Sequence, residues 1–234
     1  MAPDRSRLNV SSFNMHGFYQ GFSVIEYLIK SDAPDIFLLQ EHWLTPANMD
    51  NFDKYFPDFF TFGCSAMSKQ VDSGPLCKRP FGGVVTLINN RLHSITKTIF
   101  CDKRYSTVHV ANYLIVNVYL PCVGTSDRLL ICEHILDNVL AWRDRYSTCE
   151  FIIAGDFNVD LDSSDAVAKY LNQCMRDNFL VRYDDLYQKV RHTLIMPWDI
   201  HLVLTTFSSH PPLVSVILQY WIQMSTFPII CHLR

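Results

Sequence analysis

Apolar and polar positions first organise over Leu8–Phe13, which predicts a short strand that gives way to the turn-like Asn14-Met15-His16-Gly17. Phe22, Ile25, Leu28 and Ile29 then recur at helical spacing. Ser31-Asp32-Ala33-Pro34 stops that helix, because the residue before a proline avoids the helical region. Ile36–Leu39 is an unbroken apolar run between turn signals and predicts a strand buried on both faces. Residues 58–120 carry short β-rich segments (Val84–Ile88, Thr107–Val110, Leu114–Tyr119) punctuated by Gly82-Gly83 and Asn89-Asn90. Ser126 is the expected cap of a long helix with Leu129, Leu130, Ile135, Leu136, Val139 and Leu140 as its apolar positions. Phe151–Ala154 predicts another buried strand, ended by Gly155, and a last helix places Val167, Leu171, Cys174 and Met175 on one face. Strand–helix–strand units around a β-rich middle, without a repeat or a Pro- or Gly-rich linker, predict one α/β domain.

Composition supports that reading. A chain of 234 residues has room for one large domain with a substantial core, and 49% hydrophobic against 18% charged residues excludes a disordered chain. The net charge of −3 gives no global basic signal. Eight scattered cysteines form no CxxC pair and no His/Cys cluster at zinc spacing, and Met1–Val10 contains no secretory apolar run. The thiols are therefore expected to be reduced and mostly buried, in an intracellular protein, nuclear or cytoplasmic.

The tail differs. Between Ile200 and Leu233 there is no Asp, Glu, Lys or Arg. A transmembrane span is excluded, because Ser208-Ser209-His210-Pro211-Pro212, Gln219, Gln223 and Pro228 interrupt any run of about 20 apolar residues. Neither helical nor alternating periodicity is clean here, so something other than ordinary selection for a fold shaped this segment.

Candidate chemistry lies in four short segments: Ser12–Gly17, Leu39–Trp43, Asn117–Pro121 and Gly155–Asn158. Each follows an apolar strand-like run, which in a sheet of parallel strands puts their polar residues along one rim. Glu41 at a strand end can hold a hard cation such as magnesium, which takes oxygen ligands and keeps several waters. Asp156, beside the Asn158 amide, can position or deprotonate an attacking water, and Tyr119 can donate a hydrogen bond to a phosphate oxygen. Taken singly, Asn14 is an ordinary turn residue, Glu41 a rim charge, Asp156 a loop acceptor and Tyr119 a structural ring. Together and in this order they are the parts of a metal-assisted phosphodiester hydrolysis.

These segments, SFNMHG, LLQEHW, NVYLP and above all AGDFN, resemble the signatures of the endonuclease/exonuclease/phosphatase superfamily. The finer likeness, strengthened by Arg79-Pro80-Phe81-Gly82-Gly83-Val84, is to the DNA-nicking domain of LINE-type (non-LTR) retrotransposons, over about residues 8–189. The resemblance implies an α/β sandwich of four layers, two mixed sheets face to face with helices outside, and the C-terminal strands missing or disordered. It implies that Glu41 binds Mg2+ (or Mn2+), with Asn14 in the network around the metal. Tyr119 would contact the scissile phosphate, and Asp156 and Asn158 would orient the water and the transition state. Where repair endonucleases have an Asp, this chain has His16, which leaves the metal site one carboxylate poorer and fits the retrotransposon branch. The implied partner is a DNA target strand, met by Lys78, Arg79, Lys103 and Arg104 in loops between β segments, with no membrane and no obligate protein partner. Another phosphoesterase of the superfamily, acting on inositol phosphates or sphingomyelin, and a non-catalytic transposon remnant are the alternatives.

Family members end in a Ser-Asp-His triplet preceded by an Ile-Asp-Tyr-like segment, and neither occurs in this chain. Read one frame over, with the last base of each codon joined to the first two of the next, Trp198 to Phe207 can encode GHSSCIDYF and Phe227 to Leu233 can encode SDHLPL. Both strings lie in the same shifted frame. The expected organisation is thus a domain over residues 1–189 followed by an anomalous, frameshifted tail over 190–234, which also accounts for the missing charges.

Overall fold

The computed structural model describes residues 7–72 and 79–182 and two strands of the tail, 202–205 and 215–219. Strand β1 (Arg7–Asn14) leads into helix α1 (Phe18–Asp32), which ends where Ala33 turns left-handed ahead of Pro34. Next come β2 (Ile36–Gln40), α2 (Asn51–Tyr55), β3 (Phe59–Cys64), α3 (Ser68–Asp72) and β4 (Val84–Asn89). A β-rich middle holds β5 (Thr96–Cys101), β6 (Tyr105–Val110) and β7 (Tyr113–Tyr119). It is followed by α4 (Arg128–Arg145), β8 (Glu150–Asp156), α5 (Ala166–Asp177), β9 (Leu180–Arg182), β10 (Leu202–Thr205) and β11 (Ser215–Gln219). One sheet has the order β10-β1-β2-β4-β3, the other β5-β6-β7-β8-β11-β9, and both mix parallel and antiparallel neighbours.

Side-chain alternation explains the layers. In β2, Ile36 and Leu38 face the second sheet and pack with Val108, Ile115 and Ile152, whereas Phe37 and Leu39 face outward against Phe18 and Ile25 of α1. The second sheet repeats this arrangement: Leu114, Val116, Phe151 and Ile153 point out and are covered by Ile135, Leu136 and Val139 of α4 and Leu171 of α5. The result is helix, sheet, sheet, helix, the expected four-layer sandwich, with apolar burial at about 25 cal/mol per Å² as its main stabilisation.

Two local expectations are corrected. Ser126 does not cap α4; the helix starts at Arg128 after a left-handed Asp127, with no side-chain cap, and Arg128 is instead tied into neighbouring loops. Leu130 is not on the buried face but is 65% exposed. Its position lies about 160° around the helix from Cys132, the centre of the buried stripe, at the helical 100° per residue. The tail, for which missing or disordered strands were expected, contributes β10, antiparallel to β1, and β11, parallel to β8 and β9. The remainder of residues 190–234, including Phe227 to Leu233, lies outside the described residues.

Candidate active site

The parallel pairs β1/β2 and β7/β8 end level with one another, Asn14 beside Gln40 and Tyr119 beside Asp156. This puts the polar residues that follow or close these strands on one rim. Asn14 links them: its Nδ2 donates to Glu41 Oε1 at 3.0 Å and to Asp156 Oδ2 at 2.6 Å, while its Oδ1 accepts from the His16 backbone N–H at 3.0 Å. Asn158, in a left-handed turn, donates its backbone N–H to Asp156 Oδ1 at 2.9 Å and its side-chain Nδ2 to Asp156 Oδ2 at 3.1 Å. Tyr119 stands beside Glu41, close enough for that carboxylate to act on its hydroxyl. Asn14, Glu41, Tyr119, Asp156 and Asn158, dispersed over 145 residues of chain, thus form one connected cluster.

The electrostatics follow from this packing. Burial holds the Asp156 carboxyl above the usual carboxylate range and the nearby Glu41 adds to that, while the N–H donors of Asn14 and Asn158 oppose it. Burial, then the negative Glu41, pushes the Tyr119 hydroxyl well above its ordinary value, so it is a protonated donor at neutral pH. Among the described residues no group of three or more His, Cys, Asp or Glu side chains is arranged to hold a metal ion; the acidic groups here are two, with Asn14 between them.

Buried polar groups that single-residue patterns do not reveal hold this cluster in place. Gln40 Nε2 crosses between the sheets to Asn117 Oδ1 at 2.6 Å, and Asn117 Nδ2 returns to the carbonyls of Leu39 and Val85. Their neighbours Glu41 and Tyr119 are thereby brought together. The Glu41 and Trp43 N–H groups donate to the Gly83 and Gly82 carbonyls at 2.9 and 3.0 Å. A side chain at Gly83 would place Cβ 2.2 Å from His42 Nε2, at a φ of +90° that also favours glycine. At Gly155, a Cβ would come within 2.0 Å of the Val118 carbonyl oxygen on the adjoining strand, which explains a glycine directly before Asp156. Arg128 donates to the carbonyls of Pro121 and Asn158 at 3.0 and 2.6 Å and pairs with Asp165 at 2.5 Å, tying the β7 and β8 exit loops together.

His42 lies fully inside this frame. Leu44 N–H donates to its Nδ1 at 3.0 Å, so Nε2 carries the proton and donates to the Cys64 carbonyl at 3.2 Å. Burial pushes its pKa down from 6.5 to about 4, against the opposing Cys64 hydrogen bond. The folded state therefore takes up a proton later than the unfolded chain. The contribution of neutral His42 to stability is present above pH 6.5 and is lost as pH falls towards 4, amounting to about 3 kcal/mol over that window. Denaturant titrations should show that much less acid sensitivity in a His42→Gln variant; equal sensitivity in both proteins would contradict this burial account.

Of the basic residues anticipated from the sequence, Arg79 is exposed with its guanidinium carbon 4.5 Å from the Trp43 ring centre, and Arg104 is half-buried with its own 4.8 Å from the Tyr119 ring centre. Lys103 is exposed at the turn before Arg104, and Lys78 lies outside the described residues. Sequence reasoning passed over Trp43, whose Nε1 donates to Glu41 Oε2 at 3.2 Å, although its place two residues after Glu41 was the available signal. His16, in the position that suggested a poorer metal site, has Nδ1 3.7 Å from Glu41 Oε2. Among the described residues no helix is long and apolar enough to cross a membrane.

The sequence pattern of the Endonuclease/Exonuclease/phosphatase family matches residues 11–215. No curated protein matches the chain. Solved structures similar to it include the endonuclease domain of TRAS1, a telomere-specific non-LTR retrotransposon, with a TM-score of 0.54 at 13% identity over 73% of this chain and 72% of that one. The 3′ phosphatase NExo from Neisseria gives 0.52 at 14% identity, covering 74% and 70%. The AP endonuclease LMAP from Leishmania major gives 0.51 at 16%, covering 79% and 70%. At these identities the likeness to solved structures is one of fold.

Proposed function

Because this chain belongs to the endonuclease/exonuclease/phosphatase family, we propose that its site hydrolyses phosphodiesters with a divalent metal, and that the parent activity is nicking of DNA by a non-LTR retrotransposon. The observation that carries the reading is the hydrogen bonding of Asn14 to both Glu41 and Asp156, with Tyr119 at the end of the strand beside Asp156. Two carboxylates are hard donors that suit Mg2+ (or Mn2+), a cation commonly bound through one or two carboxylates plus water. Burial raises the proton affinity of Asp156 and Glu41 adds a repulsion that a cation would relieve. Glu41 would hold the metal, with Asn14 fixing that carboxylate from the surrounding hydrogen-bond network; the bound cation would polarise the phosphoryl oxygen and stabilise the leaving oxyanion.

The protein's own groups do the rest. Asp156 takes the proton of the attacking water, and its raised pKa makes it a stronger base than an ordinary surface carboxylate. Asn158 holds that carboxylate through two N–H groups, and its side chain is itself fixed on the Leu120 carbonyl. Tyr119, kept protonated, donates its hydroxyl to a phosphate oxygen as charge develops there. Water supplies the oxygen that bonds to phosphorus, and the ester oxygen leaves.

The test is turnover of supercoiled plasmid against phosphate release from phosphoinositide. Plasmid nicking that EDTA abolishes supports the reading; phosphoinositide hydrolysis without nicking would replace it with an inositol-phosphate phosphatase. A second reading, a remnant that keeps the fold without activity, is favoured by the absence of a Ser-Asp-His triplet from the sequence.

A further inference from the structure

Glu41 is bracketed by two aromatic side chains, one from each sheet. Trp43 follows β2 and donates its indole N–H to Glu41; Tyr119 ends β7 beside the same carboxylate. Each ring carries an arginine, Arg79 on Trp43 and Arg104 on Tyr119. We propose that these two stacks form a two-point clamp for one polynucleotide strand, each guanidinium taking a phosphodiester on its own side of the reacting group. The proposal rests on the nuclease reading above and narrows its substrate to a strand crossing the gap between the sheets, rather than an isolated phosphate ester.

Four observations support it. Among the described residues neither Arg79 nor Arg104 is engaged in an ion pair with a carboxylate, whereas Arg91, Arg128 and Arg143 are. An arginine laid on an aromatic ring loses part of its freedom in advance while its N–H fork remains available, and that fork matches the geometry of a phosphate. Both stacks are also fixed by backbone: Trp43 N–H donates to the Gly82 carbonyl at 3.0 Å, and Tyr119 N–H to the Arg104 carbonyl at 2.7 Å. Trp43 adopts a φ of +54°, a region uncommon for a bulky residue and one that tends to persist where surrounding structure and function demand it. Beside it opens a cavity of about 220 Å³, lined in part by Tyr19, Gln20, Trp43 and Arg79, with room for a neighbouring sugar–phosphate unit.

Binding rather than turnover tests this. A fluorescent DNA duplex is titrated with the full chain in EDTA at several salt concentrations, and the logarithm of the binding constant is plotted against the logarithm of salt. Each phosphate contact contributes about 0.9 to the slope, so Arg79→Gln and Arg104→Gln should each lower it by about 0.9, and the double variant by about 1.8. Trp43→Leu should reproduce the loss in Arg79→Gln and add nothing to it. Arg104→Lys, which keeps the charge, should retain the slope and so separates contact loss from misfolding. Unchanged slopes in both glutamine variants, with the duplex still bound, overturn the clamp and leave the nuclease reading standing. Failure of the unaltered chain to bind the duplex overturns both.

Discussion

Replacing residues 190–234 by the shifted-frame translation is expected to raise magnesium-dependent nicking of supercoiled plasmid by roughly 100- to 1,000-fold, the usual worth of one preorganised transition-state donor. The shifted frame can encode GHSSCIDYF and SDHLPL, and with them the His that the family resemblance places on the scissile phosphate. Two strands of the tail already pair with β1 and with β8 and β9, so the gain is expected from side chains at the rim rather than from rebuilding a sheet. Thermal unfolding distinguishes the two sources. A large rise in nicking with little change in Tm identifies missing groups, whereas a Tm rise that parallels activity identifies missing core. Robust nicking by the unaltered chain would show that other groups do this work. Coding DNA from Trp198 to Phe207 and from Phe227 to Leu233 tests the origin independently, because codons incompatible with either string would exclude a frameshift.

The extent to which this site can be read from sequence depends on how far each residue's partners lie along the chain. Ile36–Leu39 was legible because a strand covered on both faces needs an unbroken apolar run, and its two faces do pack on the second sheet and on α1. Glu41, Tyr119 and Asp156 were legible because polar residues directly after or at the end of such runs share a rim when the strands are parallel. The Gln40–Asn117 bridge was not, since each is a single polar position within an apolar strand and the partner lies 77 residues away. His42 lies within Gln40-Glu41-His42-Trp43 yet turns away from the rim: its partners are the Leu44 N–H and the Cys64 carbonyl inside the core. Strand β3 escaped notice because Phe59–Cys64 lies at a sheet edge, pairs among the described residues with β4 alone, and its half-buried residues follow no alternation. The Ser126 cap failed for a different reason: helix entry here is set by the contacts of Arg128 with Pro121, Asn158 and Asp165, which local propensity cannot anticipate.

In the tail-restored protein, Asp156→Asn should lower nicking by about 100- to 10,000-fold, the range for removal of a general base. It should also destabilise the protein, although two effects oppose each other. Burial raises the Asp156 pKa, so removing the charge relieves a desolvation cost. Against this, both carboxylate oxygens accept hydrogen bonds: Oδ1 from the Asn158 backbone, and Oδ2 from the side chains of Asn14 and Asn158. An amide there must aim its NH2 at one of these donors whichever way it turns. Asn14 cannot readily compensate by rotating, because its Oδ1 is held by the His16 N–H. A buried donor left without an acceptor costs about 1–3 kcal/mol, and roughly 2–4 °C of Tm per kcal/mol is expected for a domain of this size. Hydrogen bonding should therefore outweigh the relief of charge, giving a lower Tm at neutral pH. The pH profile supplies the independent readout. Nicking by the parent should rise with pH as Asp156 loses its proton above the ordinary carboxylate range, and the residual activity of the variant should lack that limb. A variant that nicks as fast as its parent with the same profile would remove Asp156 from the role of base, whatever its effect on stability.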